Sequence, residues 1–409
     1  MKKLLAFGLA ATLSVAGMGV LAGCTESGDD SGEGSITVGL IALHDSNSTY
    51  DKNFIDAMQE ACDNKGVKLL IRTGIPENQT CYDTASDLVD QGCDVIFADS
   101  FGHEDFVLQA ARENPDVQFC HATGTKAHTE GVANFHNAFA SIYEGRYLAG
   151  VAAGMKLVEM YEAGKLQADN YDEDGNIKIG YVGAYPYAEV VSGYTSFFLG
   201  AQSVVEKETE ISISMEVTYT GSWYDEVAES EGANMLIGRG AALISQHADS
   251  MGAPSACEAA GVPNVSYNGS TAEDCPKTFI VSSRINWVPY FEYMIDCVVN
   301  GEAIDTDWTG TIANGSVVLT EFGSAAADGT AEKVAEVQAQ LEAGTLHVFD
   351  CSKFTVNGEH LTSYMADVNT DTNYEPDTEA IANGIFEESE HRSAPYFDVR
   401  IDGITELNS

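Results

Sequence analysis

The sequence predicts an α/β protein made of two successive doubly wound units, each a parallel sheet covered by helices on both faces. Two observations support this class. Short β-rich runs alternate with helical segments between residues 35 and 300, and this alternation is typical of parallel sheets whose strands are joined by helices. The chain has 409 residues, 44% of them hydrophobic, which is enough for two domains with large cores.

The first unit is predicted from four β-rich runs and the helical segments between them. Residues 52–64 place Phe54 and Met58 on one apolar face of a helix, and Gly66 ends that helix. The predicted strands are residues 35–44, 67–72, 94–99 and 116–124, and the other predicted helices are residues 84–90 and 104–114.

The second unit begins after residue 139, where the same alternation starts again. Residues 140–160 form a long predicted helix before the first strand of this unit. The predicted strands are residues 177–183, 212–220, 241–246, 263–268 and 278–283, and the helices are residues 190–206, 225–238, 254–260 and 288–300. A late amphipathic helix is predicted at residues 331–344, whereas the polar, acidic residues 362–377 are predicted to form a loop.

The first 24 residues have the layout of a secretory signal. Met1–Lys3 is positively charged, residues 4–20 form an apolar run, and Leu21–Cys24 consists of small residues ending in a cysteine. That ending resembles a bacterial lipobox, which implies cleavage before Cys24 and lipid attachment to its thiol. An ordinary signal peptide with a chance cysteine is the alternative. Residues 25–35 are predicted to be a flexible tether, which would hold the body on the extracytoplasmic face of the cell membrane.

The composition excludes several classes of function. A formal net charge of −43 leaves no cluster of Lys and Arg that could neutralise phosphates, so a nucleic-acid-binding surface is excluded. No C-x-x-C pair occurs, which argues against zinc-ribbon and thioredoxin chemistry. Free buried thiols are favoured because several of the other cysteines lie in apolar runs, although disulfides remain open. These cysteines are Cys62, Cys81, Cys93, Cys120, Cys257, Cys275, Cys297 and Cys351.

A ligand site is expected where the predicted strands end. Ligands of open α/β sheets bind at the carboxyl ends of the strands, and two sheets that face each other would form a cleft there. The segments that follow the strands are residues 44–54, 99–103, 121–124, 185–189, 221–225, 246–250, 267–270 and 282–287.

Four stretches of the chain carry the motifs of a known family. The most specific is Glu144–Gly154 (EGRYLAGVAAG), which is similar to the helix Y-L-A-G-x-x-A-G of the basic membrane protein, or purine nucleoside receptor, family of lipoproteins. The others are Tyr50–Phe54 (similar to D-K-S-F-N), Tyr219–Asp225 (similar to G-S-F-x-D), and Asn264–Asn268 followed by Val281–Ser283 (similar to G-x-D-x-D and L-T-S). With the lipobox, the resemblance covers roughly residues 1–325.

This resemblance implies a substrate-binding subunit of an ABC importer with a type I periplasmic-binding-protein fold, in which two lobes joined by a hinge close on a ligand. The implied partners are a nucleoside-like small molecule and a membrane permease, and we expect a monomer without cofactor or metal. Lobe 1 would comprise residues 36–123 and 284–303, lobe 2 residues 124–283 and 304–360, and the C-terminal extension residues 361–409.

Carried over by position, the resemblance implies that a purine base stacks between Phe54 and Trp223. Carboxylate and lysine positions that bind the ribose in the family fall here on neutral residues, namely Thr123, Asn268 and Asn286. The predicted ligand-binding residues are Asp51, Phe54, His121, Thr123, Tyr187, Trp223, Asp249, Asn268, Asn286 and Trp287, among which Asp249 offers a compensating carboxylate.

Structural interpretations of the same residues remain open. Phe54 and Trp287 could be core rings, and Asn268, Asn286 and Asp249 could cap loops or helices.

Other functions remain open as well. A sensor lipoprotein that signals to a receptor would have the same sequence features, whereas a surface hydrolase is disfavoured because none of the common catalytic motifs occurs. His121, His128 and His136 would share one face of a continuous helix and could then bind a metal, but Gly124 and Gly131 argue against such a helix.

Overall fold

The computed structural model describes residues 36–369 and 375–408. The predicted signal segment 1–24, including the lipidation site Cys24, and the tether 25–35 lie outside the described residues. Within the described ranges, no helix is both long enough and apolar enough to cross a bilayer.

Two sheets with helices between their strands form the body, which confirms the predicted α/β class. The strands are β1 Thr37–Ile41, β2 Lys68–Arg72, β3 Val95–Ala98, β4 Gln118–Ala122, β5 Phe135–Ala140, β6 Ile177–Gly183, β7 Ile213–Tyr219, β8 Ile244–His247, β9 Asn264–Tyr267, β10 Phe279–Ile285, β11 Asp307–Gly310, β12 Val317–Leu319, β13 Met365–Ala366, β14 Thr378–Glu379, β15 Ile381–Ala382, β16 Ile385–Phe386 and β17 Ile404–Glu406. The helices are α1 Thr49–Lys65, α2 Gln79–Asp90, α3 Glu104–Glu113, α4 Ala127–Glu130, α5 Ile142–Glu162, α6 Ala188–Thr209, α7 Glu226–Gly238, α8 Gly252–Ala260, α9 Val288–Asn300 and α10 Thr330–Glu342.

Each sheet belongs to one lobe. The first has the strand order β11-β5-β4-β3-β1-β2, and all its strands are parallel. The second has the order β12-β10-β9-β8-β6-β7-β17, and only β12 is antiparallel to its neighbour. Within the described residues, the chain passes between the sheets after β5, after β10 and between β11 and β12, and these crossings join the lobes.

The predicted lobe boundaries differ from this sheet membership. We assigned residues 124–283 and 304–360 to lobe 2, yet β5 and β11 lie in the first sheet. Membership of β5 in the first sheet was difficult to predict, because the strand contains the polar residues His136 and Asn137. Both are buried and hydrogen-bonded: the His136 Nε2 atom lies 3.0 Å from Gln118 Oε1, and Asn137 Oδ1 accepts the backbone N–H of Ala127 at 2.8 Å.

The glycine-rich helix α5 packs directly on α6. A Cβ atom on Gly150 would lie 2.1 Å from the carbonyl oxygen of Phe197, and one on Gly200 would lie 2.1 Å from the carbonyl oxygen of Tyr147. No side chain fits at either position, so the two backbones can approach closely only because both residues are glycine. The motif that identified this helix in the sequence therefore has a packing role.

All eight cysteines of the body are buried and unpaired. The structure thus agrees with free thiols, the favoured reading of the sequence. Burial raises the thiol pKa values, for Cys120 to about 12, which makes these side chains act as small apolar residues.

The C-terminal segment is folded onto the body. Phe349 and Phe397 stack with ring centroids 4.0 Å apart, and β17 pairs in parallel with β7 at the edge of the second sheet. Glu406 in β17 accepts hydrogen bonds from the hydroxyl groups of Tyr194 and Tyr219. The extension therefore contributes a strand to lobe 2.

Candidate functional site

A small cavity lies between the carboxyl ends of the strands of the two sheets. Its volume is about 20 Å³, which is room for about one water molecule. A larger ligand therefore requires the lobes or the lining side chains to move apart. The lining residues are Leu43, His44, Tyr50, Asp51, Ser100, Phe101 and Thr123 from lobe 1, and Glu189, Trp223, His247 and Asp249 from lobe 2.

Asp51 is held in the first turn of α1. Ser48 is the N-cap of this helix; its Oγ accepts the backbone N–H of Asp51 at 3.2 Å and donates to Asp51 Oδ2 at 2.6 Å. The backbone N–H of His44 donates to Asp51 Oδ1 at 2.7 Å, and the His44 ring lies within hydrogen-bond distance of Oδ2. Burial acts to raise the Asp51 pKa, but these hydrogen bonds outweigh it and lower the pKa below its ordinary value. Asp51 is therefore ionised at neutral pH.

Tyr50 supplies an aromatic ring from lobe 1. Its hydroxyl group donates to the carbonyl oxygen of Asp99 at 2.7 Å, which fixes the ring at the end of β3. The ring lies 4.8 Å from that of Phe54, measured between centroids. Tyr50 thus separates Phe54 from the cavity.

Trp223 supplies the ring from lobe 2. Trp223 lies two residues after Gly221, whose φ of 72° is in the left-handed region. This glycine allows the chain to turn at the end of β7. The Thr220 hydroxyl group donates to the carbonyl oxygen of Ser222 at 2.8 Å and holds this turn. The indole is half-buried and lies edge-on to Tyr185, with centroids 5.2 Å apart.

Glu189 and Asp249 add two carboxylates from lobe 2. Glu189 Oε1 lies 3.3 Å from Nε2 of His247. Burial raises the Asp249 pKa well above its ordinary value, and the negative charges of Asp51, Glu229 and Glu189 raise it further. The backbone of Asp249 connects the lobes, because its carbonyl oxygen accepts the N–H of Thr49 at 2.9 Å.

Arg146 is a fully buried cation behind the cavity. Its guanidinium group lies 3.7 Å from the ring centroid of Tyr267 and donates to the hydroxyl oxygen of Tyr181 and, at 3.2 Å, to the carbonyl oxygen of Gln246. A cation over an aromatic face is stabilised by the ring quadrupole. Arg146 therefore balances part of the negative charge without lining the cavity.

Four of the predicted site residues line the cavity: Asp51, Thr123, Trp223 and Asp249. The other six lie elsewhere, for three different reasons.

Phe54 and Trp287 are core residues of lobe 1 and do not line the cavity. They are 0% and 1% exposed, and their rings stack 4.5 Å apart at an interplanar angle of 30°, with Phe97 packed beside both. The predicted stacking role of Phe54 is therefore wrong in this structure. Phe54 is buried because it lies on the apolar face of α1. This agrees with the alternative interpretation of the sequence, in which Phe54 is a core ring.

Asn286 and Asn268 have structural roles outside the cavity. Asn286 Nδ2 donates to the carbonyl oxygen of Gly315 at 3.1 Å, and its Oδ1 accepts the N–H of Val288 at the start of α9. Asn268 has a φ of 66°, which asparagine tolerates better than most residues. It lines a separate groove beside α1 together with Lys52 and Arg284.

His121 and Tyr187 lie on either side of the cavity lining. His121 is buried beneath it, with Nε2 2.7 Å from the carbonyl oxygen of Ser100, and burial lowers its pKa to about 4. Tyr187 is 44% exposed and lies at the mouth, where its ring contacts Phe101 of the other lobe at 5.6 Å. In the described ranges, no group of three or more His, Cys, Asp and Glu side chains could hold a metal ion.

The predicted ligand-binding residues do not include several residues that line the cavity, although the predicted segments after the strands contain most of them. These residues are Leu43, His44, Tyr50, Ser100, Phe101, Glu189 and His247. All except Leu43, which precedes the first segment by one position, lie in segments that follow predicted strands. The strand-end segments therefore contain almost all of the lining, but they also contain the six predicted residues that lie elsewhere, so they locate the site without selecting its residues.

Comparison with solved structures confirms the predicted two-lobe fold. A solute-binding protein of an ABC transporter from Conexibacter woesei superposes with a TM-score of 0.59 at 21% identity, over 76% of this chain and 98% of the other. An ABC solute-binding protein from Aeropyrum pernix gives a TM-score of 0.60 at 15% identity, over 80% and 94% of the two chains.

Comparison with curated proteins identifies relatives that are named as binding proteins. A putative ABC transporter glucose-binding protein of Haloferax volcanii is 31% identical over 64% of this chain and 60% of its own length. A purine-binding protein of Brucella abortus is 31% identical over 63% and 66%, and a nucleoside-binding protein of Lactococcus lactis is 25% identical over 59% and 64%. The matched region thus spans 60–66% of the length of these relatives.

The family match covers most of the two lobes. Residues 39–343 match the family described as PnrA-like ABC transporter substrate-binding proteins. This range contains every residue that lines the cavity and all strands of both sheets except β1, which it enters at Gly39, and β17. The chain therefore belongs to the PnrA-like family of ABC transporter substrate-binding proteins, as its sequence motifs predicted.

Proposed function

We propose that the protein is the solute receptor of an ABC importer, anchored to the outer face of the cell membrane through lipidated Cys24, and that it binds a nucleoside between its lobes. One observation carries the ligand class. The same cavity brings the indole of Trp223 together with the carboxylates of Asp51 and Asp249, which suits a ligand that is flat at one end and rich in hydroxyl groups at the other.

The two kinds of lining residue would bind different parts of the ligand. A base stacked on an aromatic ring gains about 1–3 kcal/mol. The ribose hydroxyl groups would donate to the ionised carboxylate of Asp51, and such charge-assisted hydrogen bonds are stronger than neutral ones. The carboxyl oxygens of Asp249 would accept further hydrogen bonds from the ribose. Ser100 and Thr123, which also line the cavity, can donate or accept and would contribute to the choice of base.

Closure of the lobes supplies the mechanism of a receptor. Because the cavity volume is only about 20 Å³, the ligand would enter an open form and shift the population towards the closed one. The hydrogen bond from Thr49 to the carbonyl oxygen of Asp249 spans the cleft and would form on closure. A membrane permease would then recognise the closed form.

The names of the relatives support a purine or nucleoside ligand and also suggest glucose as an alternative ligand. Two of them are named for purines or nucleosides and one for glucose. Thermal denaturation of the purified protein with purine nucleosides, free bases and glucose separates these ligands, since a bound ligand raises the melting temperature by mass action. We expect nucleosides to raise it and to be recovered unchanged. A rise with glucose and none with any nucleoside would reject the nucleoside proposal.

The anchor is tested separately, because it depends on Cys24 alone. In a bacterial host that processes lipoproteins, the wild type should incorporate a labelled fatty acid and remain with the membrane. Cys24→Ser should do neither, while keeping the ligand response of the body. Label in the serine variant would contradict the assignment.

A further inference from the structure

Among the described residues, the cavity lining holds three acidic side chains, and the His44 ring in the same lining pairs with one of them, Asp51. Asp51, Glu189 and Asp249 all line it, and no Lys or Arg does. Hydrogen bonds keep Asp51 ionised, since they lower its pKa. Because His44 pairs with Asp51, Glu189 and Asp249 are the acidic groups that an uncharged nucleoside would leave without a cation, in a site that closure shields from water, where charge interactions are strong.

Arg146, the cation whose charge acts on Asp249, is already engaged. Arg146 lies behind the lining, where it donates to Tyr181 and Gln246 and covers the ring of Tyr267. Burial and then the charge of Arg146 lower the pKa of His247, so its imidazole is neutral at pH 7. As a neutral ring, His247 can share a hydrogen bond with Glu189 at 3.3 Å but cannot cancel its charge.

Asp249 gives a second, independent indication. Its side chain is 4% exposed and lines the cavity, yet within the described ranges its contacts at hydrogen-bond distance involve only its backbone N–H and carbonyl oxygen. A buried carboxyl group without a donor is costly, and this cost disappears when a ligand brings a donor and a positive charge. The carboxyl group thus has no protein partner at the place where a ligand would lie.

Trp223 completes the arrangement. Indole is the aromatic side chain that binds cations best, and a partly desolvated cation on its face gains about 1–2 kcal/mol. A flat ring that carries a positive charge would therefore use the indole and the carboxylates at the same time. A neutral ring would gain only the stacking contribution.

We infer that this site selects a cationic aromatic ligand, such as a nucleoside whose base carries a fixed positive charge, over the corresponding neutral nucleoside. The inference deepens the proposed nucleoside function and rests on it. The recognition elements are Trp223 for the ring and Glu189 and Asp249 for the charge.

Calorimetry with two isomeric nucleosides tests the inference. 1-Methyladenosine is a cation at neutral pH, whereas N6-methyladenosine has its methyl group on the exocyclic nitrogen and is neutral. We expect the purified protein to bind the cation about tenfold more tightly or better, because the indole face and the two acidic side chains both favour the positive charge. Asp249→Asn and Glu189→Gln should each reduce this preference to about threefold or less.

A matched control separates local from overall charge. Asp296→Asn removes one negative charge from the outer face of α9, where Asp296 pairs with Lys65, and it should leave the tenfold preference unchanged. The ligand-free Asp249 carboxyl group holds a proton more firmly than usual, because burial and then Asp51, Glu229 and Glu189 raise its pKa. Binding of the cation should therefore release a proton, which calorimetry in buffers of different ionisation enthalpy detects, and Asp249→Asn should release less.

The outcomes distinguish the two proposals. Equal or tighter binding of the neutral isomer would overturn the inference on charge and leave the nucleoside receptor intact. Binding of neither isomer, nor of adenosine and guanosine, would overturn both. An equal loss of preference in Asp296→Asn would show that the net charge of the protein, and not this cavity, selects the cation.

Discussion

Two aromatic clusters lie on opposite sides of the cleft, and only one of them can meet a ligand. In lobe 1, Phe54 and Trp287 stack at 4.5 Å within a sealed core. In lobe 2, Tyr185 and Tyr187 stack at 5.1 Å beside the half-buried Trp223. The ring geometry is similar, so the contacts between rings do not distinguish a core from a binding surface.

The difference comes from the backbone that carries each cluster. Phe54 is on the apolar face of α1, which must pack against its own sheet to bury that face. Trp223 follows a glycine in left-handed conformation at the end of β7, so its position belongs to the cleft edge of the sheet. Position at a strand end is not sufficient, because Trp287 also follows a strand, β10, and is 1% exposed. What decides ligand contact is whether the chain after the strand returns the side chain to the core or leaves it at the edge of the cleft.

Phe54→Ala should produce the largest effect that distinguishes the clusters. Removing a fully buried ring leaves a cavity in the core, and we expect the free energy of unfolding to fall by about 3–5 kcal/mol. Denaturant titration measures it. Phe54→Leu should cost much less, because it keeps most of the volume. A stable alanine variant with a lost ligand response would instead return Phe54 to the binding site.

Trp223→Ala should affect binding and leave stability nearly unchanged. Loss of the stacking contribution, about 1–3 kcal/mol, corresponds to binding that is weaker by about fivefold to 150-fold. Calorimetry with the best ligand of the thermal screen measures this, and Trp223→Phe should retain part of the affinity. If the alanine variant bound as tightly as the wild type, the aromatic cluster of lobe 2 would have only a packing role and would not bind the ligand.

The pH dependence of stability tests whether His121, like Phe54, is a buried core residue and not a ligand-binding one. Burial lowers the pKa of His121 from 6.5 to about 4, so the unfolded chain takes up a proton at a higher pH than the folded protein does. Stability should therefore decrease as the pH falls below about 6.5.

His121→Gln should reduce this decrease by about 1–2 kcal/mol between pH 7 and pH 5. Some dependence should remain, because the pKa values of His103 and His136 are also lowered to about 4. Urea titrations across this range provide the measurement. An unchanged slope would mean that His121 is protonated in the folded protein.

Tyr187→Ala should have the smallest effect. The ring is 44% exposed at the mouth of the cleft, and substitutions at such positions usually change stability by less than about 0.5 kcal/mol. We expect the affinity to change by less than about threefold, with Tyr187→Phe like the wild type. A tenfold loss in the alanine variant alone would extend the binding surface outward to the contact between Tyr187 and Phe101.

The sequence predicted the architecture well because alternation of strands and helices is a local property. It also placed most of the lining in the correct segments, since strand ends can be located without tertiary information. It failed for the lobe assignment of β5, whose buried His136 and Asn137 depend on partners that are distant in sequence. Membership of a sheet is decided by such long-range pairing.

The site residues were harder to predict, for a related reason. A motif gives positions along the chain, but one turn of α1 separates the cavity residues Tyr50 and Asp51 from the core residue Phe54. The buried charge of Arg146 was also missed, because its partners Tyr181 and Gln246 come from two strands of the second sheet. Burial of a charged side chain is visible only once those partners are known.

The position of β17 has a practical consequence. The family match ends at residue 343, so a chain shortened to that region would lose the strand that covers β7. The amide and carbonyl groups along this strand would then be open to pairing with other molecules, which is a common origin of aggregation. The residues outside the family match therefore protect the edge of the second sheet at β7.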